Sequence, residues 1–205
     1  EPETRAFGYD ELTLGERISR LEEAAAVARD LLDGQTVSRD GPWIRAAGMR
    51  NDPPPVQARL PLLIAGNGEK RALRIVARFA DVWNGEGLPD DYARRNRVLD
   101  QWCADVGRDP AAIRRTVGIP PVMIRASRAA AVDALAVTLG RYGGGPEQAR
   151  GWAQSSPLAD TADVVADHLR RWRAAGAEEV VIDQPSPLDD ETIERLAGFA
   201  RLGRA

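Results

Sequence analysis

Residues 62–84 read LLIAGNGEKRALRIVARFADVWN, and their order decides the fold. An apolar run stops at Gly66-Asn67-Gly68. Three charges come next at Glu69, Lys70 and Arg71, and a helical pattern then leads to Trp83-Asn84. The run starts upstream as LPLLIA, residues 60–65, apolar without alternation, which is the pattern of a strand buried on both faces of a parallel sheet. A helix is expected near Glu69 to Phe79 and a short strand at Asp81 to Asn84. Strand, glycine turn, helix and strand in that order form one βα repeat.

The same rhythm extends in both directions. Upstream, Glu16 to Leu32 carries Ile18, Leu21, Ala24, Ala25, Ala28, Leu31 and Leu32 at helical spacing, and Gly34 suits the end of that helix. TVSRDGPWIR then places Asp40-Gly41 between two short extended pieces, a hairpin signal, and Pro53-Pro54-Pro55 stiffens the chain beyond it. Downstream, a helix is expected from about Asp90 to Val106. Thr116 to Ile124 reads as a strand interrupted by Pro120-Pro121, and an Ala-rich helix covers Arg128 to Leu139. Gly143 to Pro157 reads as loop. Thr161 is a suitable N-cap for a helix with Val165, Leu169 and Trp172 on one face, Gly176 caps its end, EEVVID forms a strand, and Asp190 to Leu202 a last helix. Strands alternating with helices imply an α/β fold with a parallel sheet, either a barrel or an open doubly wound sheet. No linker divides the chain, so residues 1–205 are expected to form a single domain.

Composition bounds the function. With 43% hydrophobic and 29% charged residues the chain is ordinary globular material. No run approaches the roughly 18 apolar residues of a membrane span, so a soluble, cytoplasmic protein without a membrane partner is expected. The 28 basic and 31 acidic residues give a net charge of -3 and are scattered, which argues against nucleic acid as a partner. One cysteine, Cys103, excludes an internal disulfide, and with the single histidine, His168, it cannot build a Cys/His zinc site. No metal is expected. His168 sits beside the Val165-Leu169-Trp172 face and reads as structural or surface, and Cys103 as a small buried hydrophobe.

Chemistry concentrates in the opening stretch. A buried strand running into Gly-Asn-Gly and then a helix exposes backbone N–H groups, and glycine lets backbone approach an anion closely. The positive end of the helix dipole, with Lys70 and Arg71, suits a phosphate. A tight turn with solvated charges is the plain alternative. The turn is neither a P-loop, which ends in Lys-Ser/Thr, nor a complete dinucleotide fingerprint, which needs a third glycine where Arg71 or Ala72 stands.

The whole arrangement resembles the luciferase-like monooxygenase superfamily, whose members use a flavin or deazaflavin in a TIM barrel. ETRAFGYDELTLGERISRLEEA is similar to the segment after that family's fourth strand. PLLIAGNGEKRALRIVARFADVWN is similar to its fifth strand, phosphate loop, helix and sixth strand, and GRDP with AGAEEVVID to its closing units. A Gly-rich loop ending in Glu-Lys-Arg resembles the branch that uses coenzyme F420. The resemblance implies coenzyme contacts at Gly66, Asn67, Gly68, Glu69, Lys70 and Arg71, with Trp83 and Asn84 at the face where such barrels keep their sites. It also places Glu3, Arg5 and Tyr9 near the cofactor mouth. It implies an incomplete TIM (β/α)8 barrel, the C-terminal half of the domain, lacking the N-terminal strands that make up roughly a third of a ~250-residue barrel. The implied activity is hydride transfer between coenzyme F420 and a small organic substrate, in a chain that could pair as a homodimer. An FMN-dependent monooxygenase is the alternative within the family, and a non-catalytic phospholigand-binding α/β domain the alternative outside it. No catalytic residue is named, because no nucleophile-base pair stands out and the cofactor carries the electron chemistry in such enzymes.

Overall fold

The computed structural model describes residues 5–142 and 145–202. The chain divides into two compact units. One runs from the N-terminal segment through Asn84 and includes Arg95–Arg114. The other holds Gly85–Arg94 and the described residues from Arg115 onward.

The first unit opens with helix α1, Leu14–Leu32. Thr13 and Glu16 close a reciprocal capping box at its start: the Thr13 hydroxyl accepts from the Glu16 N–H, and the Glu16 carboxylate accepts from the Thr13 N–H at 2.8 Å. These bonds satisfy orphan donors of the first turn. Gly34, at φ +78, ends the helix as its position in the sequence implies. The expected hairpin comes next as antiparallel strands β1, Val37–Asp40, and β2, Arg45–Met49. Its turn is tied back to α1, where Glu23 accepts the Trp43 N–H at 3.0 Å. Strand β3, Leu63–Ala65, helix α2, Ala72–Phe79, and strand β4, Val82–Glu86, form the βα repeat. The two strands are parallel, with Ile64 opposite Trp83 and Ala65 opposite Asn84.

Two expectations change here. The β3 strand is shorter than the apolar run and alternates: Ile64 is 4% exposed, whereas Leu63 is 51% exposed. An apolar run alone cannot report which faces are covered, and within this unit only the Ile64 face is packed. Helix α2 begins at Ala72, not Glu69, because Glu69, Lys70 and Arg71 form a turn that precedes it. From there Ala72, Leu73, Ile75, Val76 and Ala77 are all buried, so this short helix is held by packing.

Helix α3, Pro89–Asp105, begins in the second unit and ends in the first. Strand β5, Arg114–Ile119, lies in the second unit from Arg115 on, where it pairs in parallel with β8, Glu179–Ile182, through Thr116–Glu179 to Ile119–Ile182. The stretch expected as one strand from Thr116 to Ile124 is two. Beyond Pro120-Pro121 the chain re-forms as β6, Met123–Ile124, which pairs instead with β7, Ala159–Asp160. Proline supplies no N–H to a ladder, so the break also changes the partner. Helix α4 spans Arg128–Leu139 as expected, capped by Ser127. The stretch read as loop from Gly143 to Pro157 holds an 11-residue helix, α5, Gly145–Ser155, while positions 143 and 144 lie outside the described residues. Its buried face is only Ala149 and Ala153, too small for hydrophobic periodicity to register. Ala153 joins Met123, Ala131, Val132, Leu135 and Ala159 in a core cluster. Helix α6, Ala162–Ala174, has Thr161 at its N-cap without a side-chain capping bond, and Val165 and Trp172 on its buried face. Helix α7, Asp190–Leu202, closes the chain. Among the described residues no helix is long and apolar enough to cross a membrane.

Candidate functional site

The loop between β3 and α2 takes its shape from glycine and from two indoles. Gly66 lies at φ +147, a conformation side chains rarely adopt. A Cβ on Gly66 or on Gly68 would stand 3.4 Å from the Ala72 Cβ, an ordinary contact, so at Gly66 it is the backbone conformation and not the space that calls for glycine. The Gly66 N–H donates to the Asn84 carbonyl at 3.3 Å, continuing the β3–β4 ladder one residue into the loop. The Trp83 indole N–H donates to the Gly66 carbonyl at 2.9 Å, and the Trp102 indole N–H, from the last turns of α3, donates to the Glu69 carbonyl at 2.7 Å. The Leu73 N–H is taken by the Gly68 carbonyl at 3.0 Å, which fastens the loop to the first turn of the helix.

The two loop cations differ. Arg71 is committed to α1: its guanidinium donates to the Gly15 carbonyl at 3.2 Å and to the Ser19 hydroxyl at 3.0 Å. Lys70 is exposed, and the described residues give its ammonium no hydrogen-bond or ion-pair partner. It stands beside a positive helix end with its charge available. The loop thus brings two glycines and an exposed lysine to the start of α2.

The remaining residues singled out by the sequence lie around or away from this loop. Trp83 is fully buried on the Ile64 side of the strand pair, so it meets the loop through its N–H and presents no face to a ring. Asn84 is half-buried, opposite Ala65. Arg5 pairs with Glu11, and Tyr9, 64% exposed, borders a hollow of about 680 Å³ against α1 whose lining includes Asp10, Arg17 and Arg20. Glu3 lies outside the described residues. A second hollow of about 330 Å³ lies beside the hairpin, lined in part by Trp43 and Phe79. Neither is lined by the loop. His168 is half-buried with its ring tilted against Trp172 at 6.3 Å between centroids, and Cys103 is a buried thiol. No group of His, Cys, Asp or Glu among the described residues is placed to hold a metal ion.

Sequence reasoning missed Trp102. It also missed the charge cluster at the opposite end of the same strands. There the Asp81 carboxylate accepts from Arg29 at 2.8 Å, Arg59 at 2.9 Å and the Leu62 N–H at 2.8 Å, with an Arg108 nitrogen at 4.0 Å. Burial alone would raise its pKa. The Leu62 and Arg59 hydrogen bonds and the Arg59 and Arg29 charges outweigh that and hold it below the ordinary aspartate value. In the second unit Asp189 caps α7, accepting the Thr192 N–H at 2.9 Å while bound by Arg125. The Arg125 hydrogen bond lowers the Asp189 pKa most, against a smaller opposing effect of burial, and the Thr192 bonds lower it further.

The α/β order in which this turn is set is shared with proteins of known structure. The family model described as luciferase-like monooxygenase matches residues 1–202. The chain belongs to the luciferase-like monooxygenase family. Among solved structures of similar fold, an F420-dependent secondary alcohol dehydrogenase in complex with an F420-acetone adduct superposes with a TM-score of 0.73 at 16% identity. That match covers 93% of this chain and 63% of that one. EDTA monooxygenase from Chelativorans sp. BNC1 superposes at 0.69 and 17% identity, covering 98% and 62%. The fold of this luciferase-like chain is therefore α/β with parallel strands, a partial TIM barrel. Among curated proteins, phthiodiolone/phenolphthiodiolone dimycocerosates ketoreductase of Mycobacterium sp. (strain JLS) is 39% identical over 101 residues, which is 47% of this chain. Its counterpart in Mycobacterium bovis (strain BCG / Pasteur 1173P2) is 34% identical over the same length. The chain spans 26% of the length of these curated relatives.

Proposed function

We propose that this luciferase-like chain carries the phosphate anchor of an oxidoreductase that moves a hydride between coenzyme F420 and a small organic substrate bearing a ketone or secondary alcohol. The observation that carries this reading is the turn at 66–71, where a φ only glycine favours, two small side-chain-free positions and the available Lys70 ammonium meet at the start of α2. Glu69-Lys70-Arg71 resembles the ending of the F420 branch. The ketoreductase name of the curated relatives supports a carbonyl substrate.

When bound, the deazaflavin supplies the hydride chemistry. This chain's part is to hold it. The backbone N–H groups from Asn67 to Lys70 would take the phosphate, the Gly66 N–H being held by the Asn84 carbonyl, and Lys70 would add a charge-assisted contact, worth ~1.5–3 kcal/mol. Arg71 serves one step removed, fixing the loop against α1. Asn67 stands between the two glycines, and Glu69 holds the turn through its carbonyl, which accepts from Trp102. Trp83 supports the turn from below, and Asn84 holds it in register through its carbonyl. These residues act within a single barrel domain.

FMN is the second reading. It offers the same loop a phosphate, and a monooxygenase of similar fold supports it. Parallel titration of the full-length protein with coenzyme F420 and FMN, followed by stopped-flow mixing of the reduced forms with oxygen and with a ketone, decides between them. Saturable F420 binding and ketone-dependent oxidation are expected. Tight FMN binding with rapid oxygen consumption, and no saturable F420 binding, would replace the assignment.

A further inference from the structure

We infer that Trp83 and Trp102 are positioning residues that preset the loop's peptide groups for an anion, a role that rests on the phosphate-loop reading above. In a trans peptide the carbonyl and the N–H of the next residue point in opposite directions. Both peptides concerned are trans. The Gly66 carbonyl is turned onto the Trp83 indole, so the Asn67 N–H is turned away from that indole. The Glu69 carbonyl is turned onto the Trp102 indole, so the Lys70 N–H is turned away from it. Two peptide groups of the loop thus have their direction set by side chains from other elements, β4 and α3.

The indoles enforce this because each has a single proton and no acceptor. Indole is a donor only, and an orphaned buried donor is costly. Trp83 is wholly buried, and Trp102 is half-buried with the Arg74 guanidinium 5.9 Å from its ring centroid. A glycine loop is otherwise free to flip its peptides, and a flipped unit would present a carbonyl oxygen to the phosphate. Dipoles fixed before the ligand arrives need no reorganisation when it binds. Lys70 supplies charge to this site, and the two tryptophans supply direction.

The test compares ligands that differ only in the phosphate end: coenzyme F420 against its phosphate-free deazaflavin riboside, and FMN against riboflavin, each titrated in the full-length protein. Trp102→Phe and Trp83→Phe keep an aromatic ring and remove the donor. Each should weaken the phosphorylated ligand about fivefold, the worth of one neutral hydrogen bond, and leave the phosphate-free ligand unchanged. Should a Phe variant fail to fold by thermal melting, benzothienylalanine at the same position keeps the indole shape with sulfur in place of N–H. Equal weakening of both ligands, or of neither, would overturn the inference while Lys70→Ala still discriminates against the phosphorylated ligand. If Lys70→Ala shows no such discrimination either, the phosphate-loop reading itself has failed, and the inference fails with it.

Discussion

The β3–β4 pair is held by different chemistry at its two ends. At the amino-terminal end three arginines and a backbone N–H converge on the Asp81 carboxylate, and Arg29 there is only 8% exposed. At the carboxyl-terminal end two neutral indole N–H groups hold a glycine loop, and the nearby Lys70 charge is left without a partner among the described residues. Charges that neutralise one another stabilise a fold, while a charge kept available can act on a ligand. The division matches parallel barrels generally, where the far ends of the strands carry the chemistry and the near ends the stability.

The largest effect that would break this contrast is at Asp81. Asp81→Ala strands Arg29 with Asp33 as its remaining carboxylate and removes the acceptor of the Leu62 N–H, so a loss of about 3 kcal/mol is expected by denaturant titration. A loss under about 0.5 kcal/mol would show that the cluster is only surface electrostatics. Lys70→Ala should do the reverse, weakening the coenzyme more than about tenfold with an unchanged melting temperature. Calorimetric titration beside a thermal melt reads both. An unchanged affinity would take Lys70 out of the site.

Acid provides the third comparison. The folded-state pKa values of Asp81 and Asp189 both lie below their unfolded ones, so each contributes stability that is full above about pH 4 and is lost as pH falls toward the folded value. Asp81→Asn should therefore flatten the pH dependence of stability below about pH 4, whereas Lys70→Ala should leave it unchanged in that range. Equal slopes for wild type and Asp81→Asn would contradict the lowered value. The smallest effect is expected at Arg71. Arg71→Ala loses two exposed bonds to α1, costing about 0.5–1 kcal/mol of stability, and weakens the coenzyme less than Lys70→Ala does. A larger binding loss for Arg71 would mean that its guanidinium leaves α1 for the ligand.

The sequence reveals what local pattern controls. The α4 and α7 bounds, the hairpin and the βα repeat around Gly66 arise from periodicity, caps and turn residues, all of which act over a few positions. It conceals what depends on distant partners. Trp102 reaches a loop carbonyl 33 positions away, and Arg29 reaches Asp81 across 52. Nothing near either residue signals the contact. Helix α5 is hidden for another reason: with only alanines on its buried face and Gly151 in its middle, its pattern is too weak to separate from loop. Two adjacent cations, Lys70 and Arg71, read alike as phosphate ligands, and only the position of Ser19 and the Gly15 carbonyl distinguishes them.

The placement of the tryptophans makes the protein optically uneven. Of the five in the chain, Trp83 is sealed in the interior with its N–H on the loop, while Trp152 is 54% exposed on α5 in the other unit. Their emission should differ in colour, the buried indole bluer and shielded from aqueous quenchers, the exposed one redder and easily quenched by iodide. With iodide suppressing the outer signal, the residual emission comes from the buried indoles, Trp172 on α6 and Trp83 on the wall of the loop. A coloured coenzyme seated there would dim it by energy transfer, so the protein carries its own label-free gauge of occupancy.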